Sequence, residues 1–323
     1  MSSETQMKTK INQGSSFHAS WLDNIRVNMS AVERRTSSIG TRRSVKKDSQ
    51  LAYMLKAISC IDLTTLAGDD TPGRVKRLCL KAASPVRRDI LEAIGMADMG
   101  LTTGAICVYH EMVETAVEAL KGSGVPVAAV STGFPAGLAP RETRIEEIKR
   151  SVAAGAKEID IVITRGHVLS GNWEALYDEV KAFKEACGPV LMKSILATGE
   201  HGNLTQVGKA SMVAMMAGSD FIKTSTGMEG VNATLPVTLV MIRQIRDFYE
   251  RTGIKVGYKP AGGIKTAKDA VVYLSLIKEE LGRDWLEPEL FRFGASSLLG
   301  DLERQLEYHA TGGYSASYRH AMG

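Results

Sequence analysis

Eight short apolar runs punctuate this chain after Asp48, and helical patterns fill the intervals between them. The runs lie at 57–64, 102–109, 126–132, 158–164, 190–197, 220–226, 254–261 and 290–296, rich in β-branched residues or bounded by Gly and Pro. In 143–154, Ile145, Ile148 and Val152 share one face, and Gly155 sits just past the end, where a C-terminal cap glycine belongs. Trp173, Leu176, Tyr177, Val180 and Phe183 form a second stripe. Leu239, Ile242, Ile245 and Tyr249 form a third, in a helix that Pro236 can open. Met212, Met215 and Met216 read as helix packing and not as a ligand surface. Eight strands alternating with helices over roughly 260 residues predict an α/β fold, a (β/α)8 TIM barrel. A doubly wound sheet is the alternative, but no GxGxxG follows the first strand.

In such a barrel the chemistry lies on the loops after the strands. Five of the runs carry an ionisable residue that an apolar strand does not tolerate alone: Asp62, Asp160, Lys193, Lys223 and Lys259. Period-two alternation can aim all five into the barrel. A buried ammonium must be paired or lose its proton. An amine beside a second cation has a lowered pKa and attacks carbonyls, so Lys223 and Lys259 on consecutive strands point to Schiff-base chemistry. Either one could be the nucleophile on this ground. Gly262-Gly263 follows the seventh run, and Gly294-Ala295-Ser296-Ser297 ends the eighth and opens a helical run. Two such loops on adjacent strands suit a phosphate, held by backbone N–H groups and Ser hydroxyls.

Composition narrows the class. No run approaches the ~18–20 apolar residues of a membrane span, and the first thirty residues hold no apolar signal core. Cys60, Cys79, Cys107 and Cys187 lie far apart without CxxC spacing, and six scattered histidines form no HExxH. Neither a disulfide scaffold nor a metal site is expected, and the thiols read as reduced, cytoplasmic core residues. Residues 1–50 carry nine Lys/Arg against four Asp/Glu, a net +5 within a total of +4. The remainder is electrically balanced, which argues against a nucleic-acid-binding face there.

The expected organisation is an N-terminal extension over 1–48, a barrel over 49–310 and a flexible tail over 311–323. Residues 1–15 are polar and expected to be disordered. Trp21, Ile25, Val27 and Val32 could anchor a short helix or two. The Arg/Ser content of this part also suits a transit peptide or a nucleic-acid or membrane contact, although its acidic residues weaken the first.

The motifs now in view resemble deoxyribose-phosphate aldolase, a class I aldolase family on a (β/α)8 barrel, from about Trp21 to Tyr318. They are Ile61-Asp62-Leu63-Thr64-Thr65-Leu66, Glu158-Ile159-Asp160-Ile161-Val162, Ile195-Leu196-Ala197-Thr198-Gly199-Glu200, Asp220-Phe221-Ile222-Lys223-Thr224-Ser225-Thr226-Gly227 and Lys259-Pro260-Ala261-Gly262-Gly263. The longer, animal-type members carry a similar N-terminal extension, which weakens the transit-peptide reading. By motif, Lys223 resembles the Schiff-base lysine, Lys259 the lysine that perturbs it, and Asp160 the carboxylate that moves protons through a bound water. Asp62, Thr226 and Lys193 match positions near the substrate hydroxyls or the proton relay, and Cys107 a lining cysteine. Gly227, Gly262, Gly263, Gly294, Ser296 and Ser297 match the phosphate-binding loops. The tail resembles the family's mobile C-terminus, in which a tyrosine assists proton transfer, and Tyr318 is its loose counterpart.

The resemblance implies a lyase that reversibly cleaves 2-deoxy-D-ribose 5-phosphate to acetaldehyde and D-glyceraldehyde 3-phosphate, in deoxyribonucleoside catabolism in the cytoplasm. It implies no metal or organic cofactor, no nucleic-acid or membrane partner, and a homo-oligomer. One departure stands out. The family usually has lysine directly after the Thr-Gly of strand six, where this chain has Met228. The alternatives are therefore an aldolase shifted toward unphosphorylated or other aldehydes, and a catalytically silent barrel that binds partners through its basic N-terminus.

Overall fold

Each of the eight apolar runs contains one strand of a parallel sheet: β1 (Ile61–Thr64), β2 (Ala105–Val108), β3 (Val127–Val130), β4 (Glu158–Val162), β5 (Leu191–Ile195), β6 (Phe221–Lys223), β7 (Gly257–Lys259) and β8 (Phe293–Ala295). The computed structural model describes residues 11–320. Its strands are joined in the order β7-β6-β5-β4-β3-β2-β1-β8. Single bridges, Tyr258 to Phe291 and Ala261 to Gly294, bring β7 beside β8 and close the barrel.

Alternation decides what each strand gives to either side. Ile61, Leu63, Ile106, Val108, Ile159, Ile161, Met192 and Ile222 join the large apolar core beneath the helices. Their neighbours turn inward. Cys107, Ala128, Val130, Val162 and Ile195 meet in a second, smaller apolar cluster. On the same inward face Asp62, Glu158, Asp160, Lys193, Lys223 and Lys259 carry charge, beside the Phe221 ring.

The helices return the chain between strands with the caps their sequences provide. Thr234 accepts the Val237 N–H at the start of Leu235–Thr252, with Pro236 in the first turn. Asn203 caps Leu204–Met216, whose Met212, Met215 and Met216 are buried as packing. The first run differs from expectation: 57–59 are the last turn of helix Lys47–Ser59. Met54, Leu55 and Ile58 recur at helical spacing and are buried, so tertiary packing overrides the strand-like composition.

Short helices Ser20–Asp23, Met29–Ser37 and Ile39–Arg42 precede the barrel. Ile25 and Val32 are buried against it. Arg35 pairs with Glu279 at 2.7 Å and Glu280 at 3.0 Å, and Arg43 also pairs with Glu279, so part of the segment's positive charge meets helix Ala267–Leu281. The expected disorder of 1–15 does not hold for its last residues. Asn12 is buried, donates its N–H to Asp220 and its side-chain amide to Met215 and Ser219 carbonyls, and Ser15 donates to Met216 O. Residues 1–10 lie outside the described residues.

Past helix Leu298–Thr311 the chain folds back along it instead of extending as a free tail. Arg304 donates to Ser315 O, and the buried His320 lies 2.7 Å from Glu307 Oε2. Residues 321–323 lie outside the described residues. No helix among the described residues is long and apolar enough to cross a membrane.

Candidate active site

The inward charged side chains of β1, β4, β5, β6 and β7 converge on Asp160. Register sets this up: Asp160 pairs with Lys193 across β4–β5, and Lys223 with Lys259 across β6–β7. Asp160 Oδ2 accepts from both Lys223 Nζ and Lys259 Nζ, each at 2.7 Å, while Oδ1 accepts from Lys193 Nζ at 3.1 Å. Asp62 accepts from Lys259 and, at 2.6 Å, from Arg292. Glu158 accepts from Lys193 and, at 2.8 Å, from Arg292. The cluster thus holds three carboxylates and four basic groups, all buried.

Buried charge is tolerated only when it is paired, and here the pairing is uneven. Lys259, Lys193 and Arg292 each contact at least two carboxylates, whereas Lys223 contacts only Asp160. Burial lowers the Lys223 pKa and the Lys259 ammonium lowers it further, against the pull of Asp160. For Lys259 burial acts the same way, but Asp160 and Asp62 outweigh it and raise its pKa. Asp160 and Asp62 are held below the ordinary carboxylate range, because the surrounding cations overcome the effect of burial. With Lys223 as the free amine, three cations face three anions and the cluster is neutral.

A cavity of about 330 Å³ opens at the C-terminal ends of β1, β6, β7 and β8, lined by Thr64–Ala67, Lys223, Thr226–Met228, Ala261, Gly262 and Gly294–Ser296. Of the charged cluster, only Lys223 reaches its wall. Gly294 is needed there, since a Cβ would meet the Ala261 Cβ at 2.8 Å and approach Lys259 Cε. Among the described residues no side chain caps helix Leu298–Thr311, whose first turn lies behind Ser296 and Ser297 with the Leu299 N–H donating to Ser296 O at 3.4 Å.

The structure brings together most of the residues singled out from sequence, with changes of position. Asp62, Lys193 and Lys259 lie behind the cavity wall, not on it. Cys107, expected to line the site, is buried in the inner apolar cluster and not among the cavity-lining residues, and burial raises its thiol pKa. Gly263 and Ser297 flank the cavity lining without joining it. Gly227, expected to offer its N–H to phosphate, instead donates it to the Glu229 carboxylate at 3.1 Å. Tyr318 stands apart: it is 85% exposed, in the short turn that carries Arg319 and His320 to Glu307. Arg292 and Glu158 were not singled out from sequence. Arg292 interrupts an apolar run as the lysines do, and Glu158 precedes Asp160 by two residues on the same strand face, so both carried a usable signal.

Comparison with known proteins adds an independent line. The model described as DeoC/LacD family aldolase matches residues 56–301. A curated Bos taurus relative named deoxyribose-phosphate aldolase is 60% identical over 306 residues, covering 94% of this chain and 96% of its own. A Homo sapiens relative of the same name is 59% identical over 307 residues, with the same coverage. Among solved structures, a tetrameric deoxyribose phosphate aldolase from Aeropyrum pernix superposes with a TM-score of 0.60 at 22% identity, covering 83% of this chain and all of that one. At that identity the likeness concerns the fold.

Proposed function

The chain belongs to the DeoC/LacD family of aldolases, and we propose that within it Lys223 forms the Schiff base, Lys259 holds that amine unprotonated, and Asp160 passes the protons. The protein is a carbon–carbon lyase that reversibly cleaves 2-deoxy-D-ribose 5-phosphate to acetaldehyde and D-glyceraldehyde 3-phosphate. The observation that carries the residue assignment is the charge balance: four basic groups surround three carboxylates, and the least paired of the four, Lys223, is also the one that reaches the cavity.

The free amine of Lys223 adds to the C1 carbonyl of the open-chain sugar, and loss of water from the carbinolamine gives a protonated imine. The C3 hydroxyl then gives up its proton as the C2–C3 bond breaks, and the electron pair passes into the imine to form an enamine. Glyceraldehyde 3-phosphate leaves. The enamine carbon takes a proton, and water releases acetaldehyde and regenerates the amine. Asp160 is the carboxylate within hydrogen-bond reach of Lys223 Nζ, so the protons entering and leaving that nitrogen pass by it. Gly262, Gly294 and Ser296, with the first turn of helix Leu298–Thr311 behind them, form the end of the cavity suited to the phosphate. We assign the chain to the cytoplasm and to deoxyribonucleoside catabolism, for which its four buried free thiols suit a reducing compartment. We also infer a homo-oligomer, in line with the tetrameric relative.

A second reading concerns substrate range. Met228 lines the cavity with 58% of its surface exposed and contributes no cation. Turnover of deoxyribose 5-phosphate and of unphosphorylated deoxyribose, assayed as acetaldehyde release, tests both readings. The phosphorylated sugar is the expected better substrate. Met228→Lys should widen its advantage by up to about fivefold, the range of a part-exposed ion pair. Loss of acetaldehyde release from both sugars in the unsubstituted protein would refute the activity. An unchanged ratio in Met228→Lys would refute the role given to that position.

A further inference from the structure

The turn after β6 is closed by an acidic side chain that the Schiff-base mechanism does not use. Glu229 is buried, with only 2% of its side chain exposed. Its carboxylate accepts the Thr226 N–H at 3.0 Å on both oxygens, the Thr226 hydroxyl at 2.8 Å and the Gly227 N–H at 3.1 Å. Gly227 adopts φ +93°, which turns the two successive N–H groups toward one point. Such a concavity of backbone donors is an anion site. Here a residue of the chain itself fills it, one position behind the cavity wall formed by Thr226, Gly227 and Met228.

Glu229 is held from the far side. Arg165 Nη2 lies 3.6 Å from Glu229 Oε1, and its Nε lies 2.6 Å from Glu200 Oε2. The same guanidinium donates to Ala136 O at 2.6 Å and Pro135 O at 3.2 Å. One cation thus joins the loops that follow β3, β4, β5 and β6, and its charge offsets Glu229.

We propose that Glu229 is an internal counter-anion that occupies the donor site after β6 and thereby determines how strongly the protein prefers phosphorylated over unphosphorylated sugars. While its carboxylate holds those N–H groups, the phosphate is received at the loops after β7 and β8 alone. The negative charge behind the turn also opposes a phosphate at that wall, and Arg165 tempers the opposition. Glu229 is therefore a positioning and specificity residue that acts through the turn. The inference rests on the sugar-phosphate cleavage assigned above.

Two substitutions of opposite sign test it. Glu229→Gln keeps an acceptor for the Thr226 N–H but removes the charge. The ratio of kcat/KM for deoxyribose 5-phosphate to that for deoxyribose should rise about three- to tenfold. Inorganic phosphate should inhibit deoxyribose cleavage more strongly by a similar factor. Arg165→Gln leaves Glu229 unbalanced, and both quantities should fall. Borohydride trapping of acetaldehyde on each variant separates the two layers. Trapping with an unchanged ratio in Glu229→Gln, or a ratio that moves the same way in both variants, overturns the counter-anion role and leaves a structural turn. Absence of trapping in the unsubstituted protein would instead overturn the Schiff-base assignment.

Discussion

Replacing Lys259 with methionine removes one of the four basic groups while leaving the three carboxylates in place. The remaining cations, Lys193, Arg292 and Lys223, then balance the carboxylates only if Lys223 is protonated. The size of the effect follows from geometry. Both lysine Nζ atoms lie 2.7 Å from the same Asp160 oxygen, so they are separated by no more than twice that distance. At an effective dielectric constant near 20, two unit charges at that separation repel by about 3 kcal/mol. Loss of this repulsion should lower the free-amine fraction of Lys223 near neutral pH by about a hundredfold. The assay is kcat/KM for deoxyribose 5-phosphate against pH. Lys259→Met should lose activity by that factor at pH 7, and part of it should return as the pH rises and Lys223 sheds its proton. A loss that stays uniform across pH would refute the electrostatic role, and so would a variant with an unchanged profile.

Further outcomes follow from the same cluster. Arg292→Met leaves Glu158 with Lys193 as its basic partner and strips one cation from Asp62. Breaking a buried pair in this way should cost about 3–5 kcal/mol in denaturant unfolding. A change below about 1 kcal/mol would show that the network relaxes around the loss. Asp62 and Asp160 are held below the ordinary carboxylate range in the folded chain, so their contribution to stability is complete above about pH 4 and is lost as pH falls toward their folded values. Chemical unfolding between pH 3 and 7 should therefore show stability falling on the acid side. A flat profile would contradict the shared-carboxylate picture.

The barrel was legible in the sequence because its strands are short, apolar and separated by helical patterns, and each run held its strand. Lys193, Lys223, Lys259, Asp62 and Asp160 were legible because a charge in such a run has few destinations other than a shared interior. Arg292 and Glu158 carry the same signal in weaker form, because a charge at a strand entrance ordinarily faces solvent. Which lysine would be the free amine was beyond local pattern, since it depends on how many carboxylates each Nζ meets across five strands. Long-range hydrogen bonds account for the other misses. Asn12 is fixed by residues more than two hundred positions away, and Glu307 draws His320 back against its own helix. Glu229 filling the donor site at Gly227 is a local contact, but only the φ +93° turn reveals it.

The assignment of Lys223 is tested most directly by reducing the protein with borohydride in the presence of acetaldehyde and locating the adduct by peptide mass mapping. The expected result is one stable ethyl adduct on Lys223, forming at pH values where an ordinary lysine is almost wholly protonated, with Lys259 and Lys193 unmodified. An adduct on Lys259, or none on any lysine of the cluster, would contradict it.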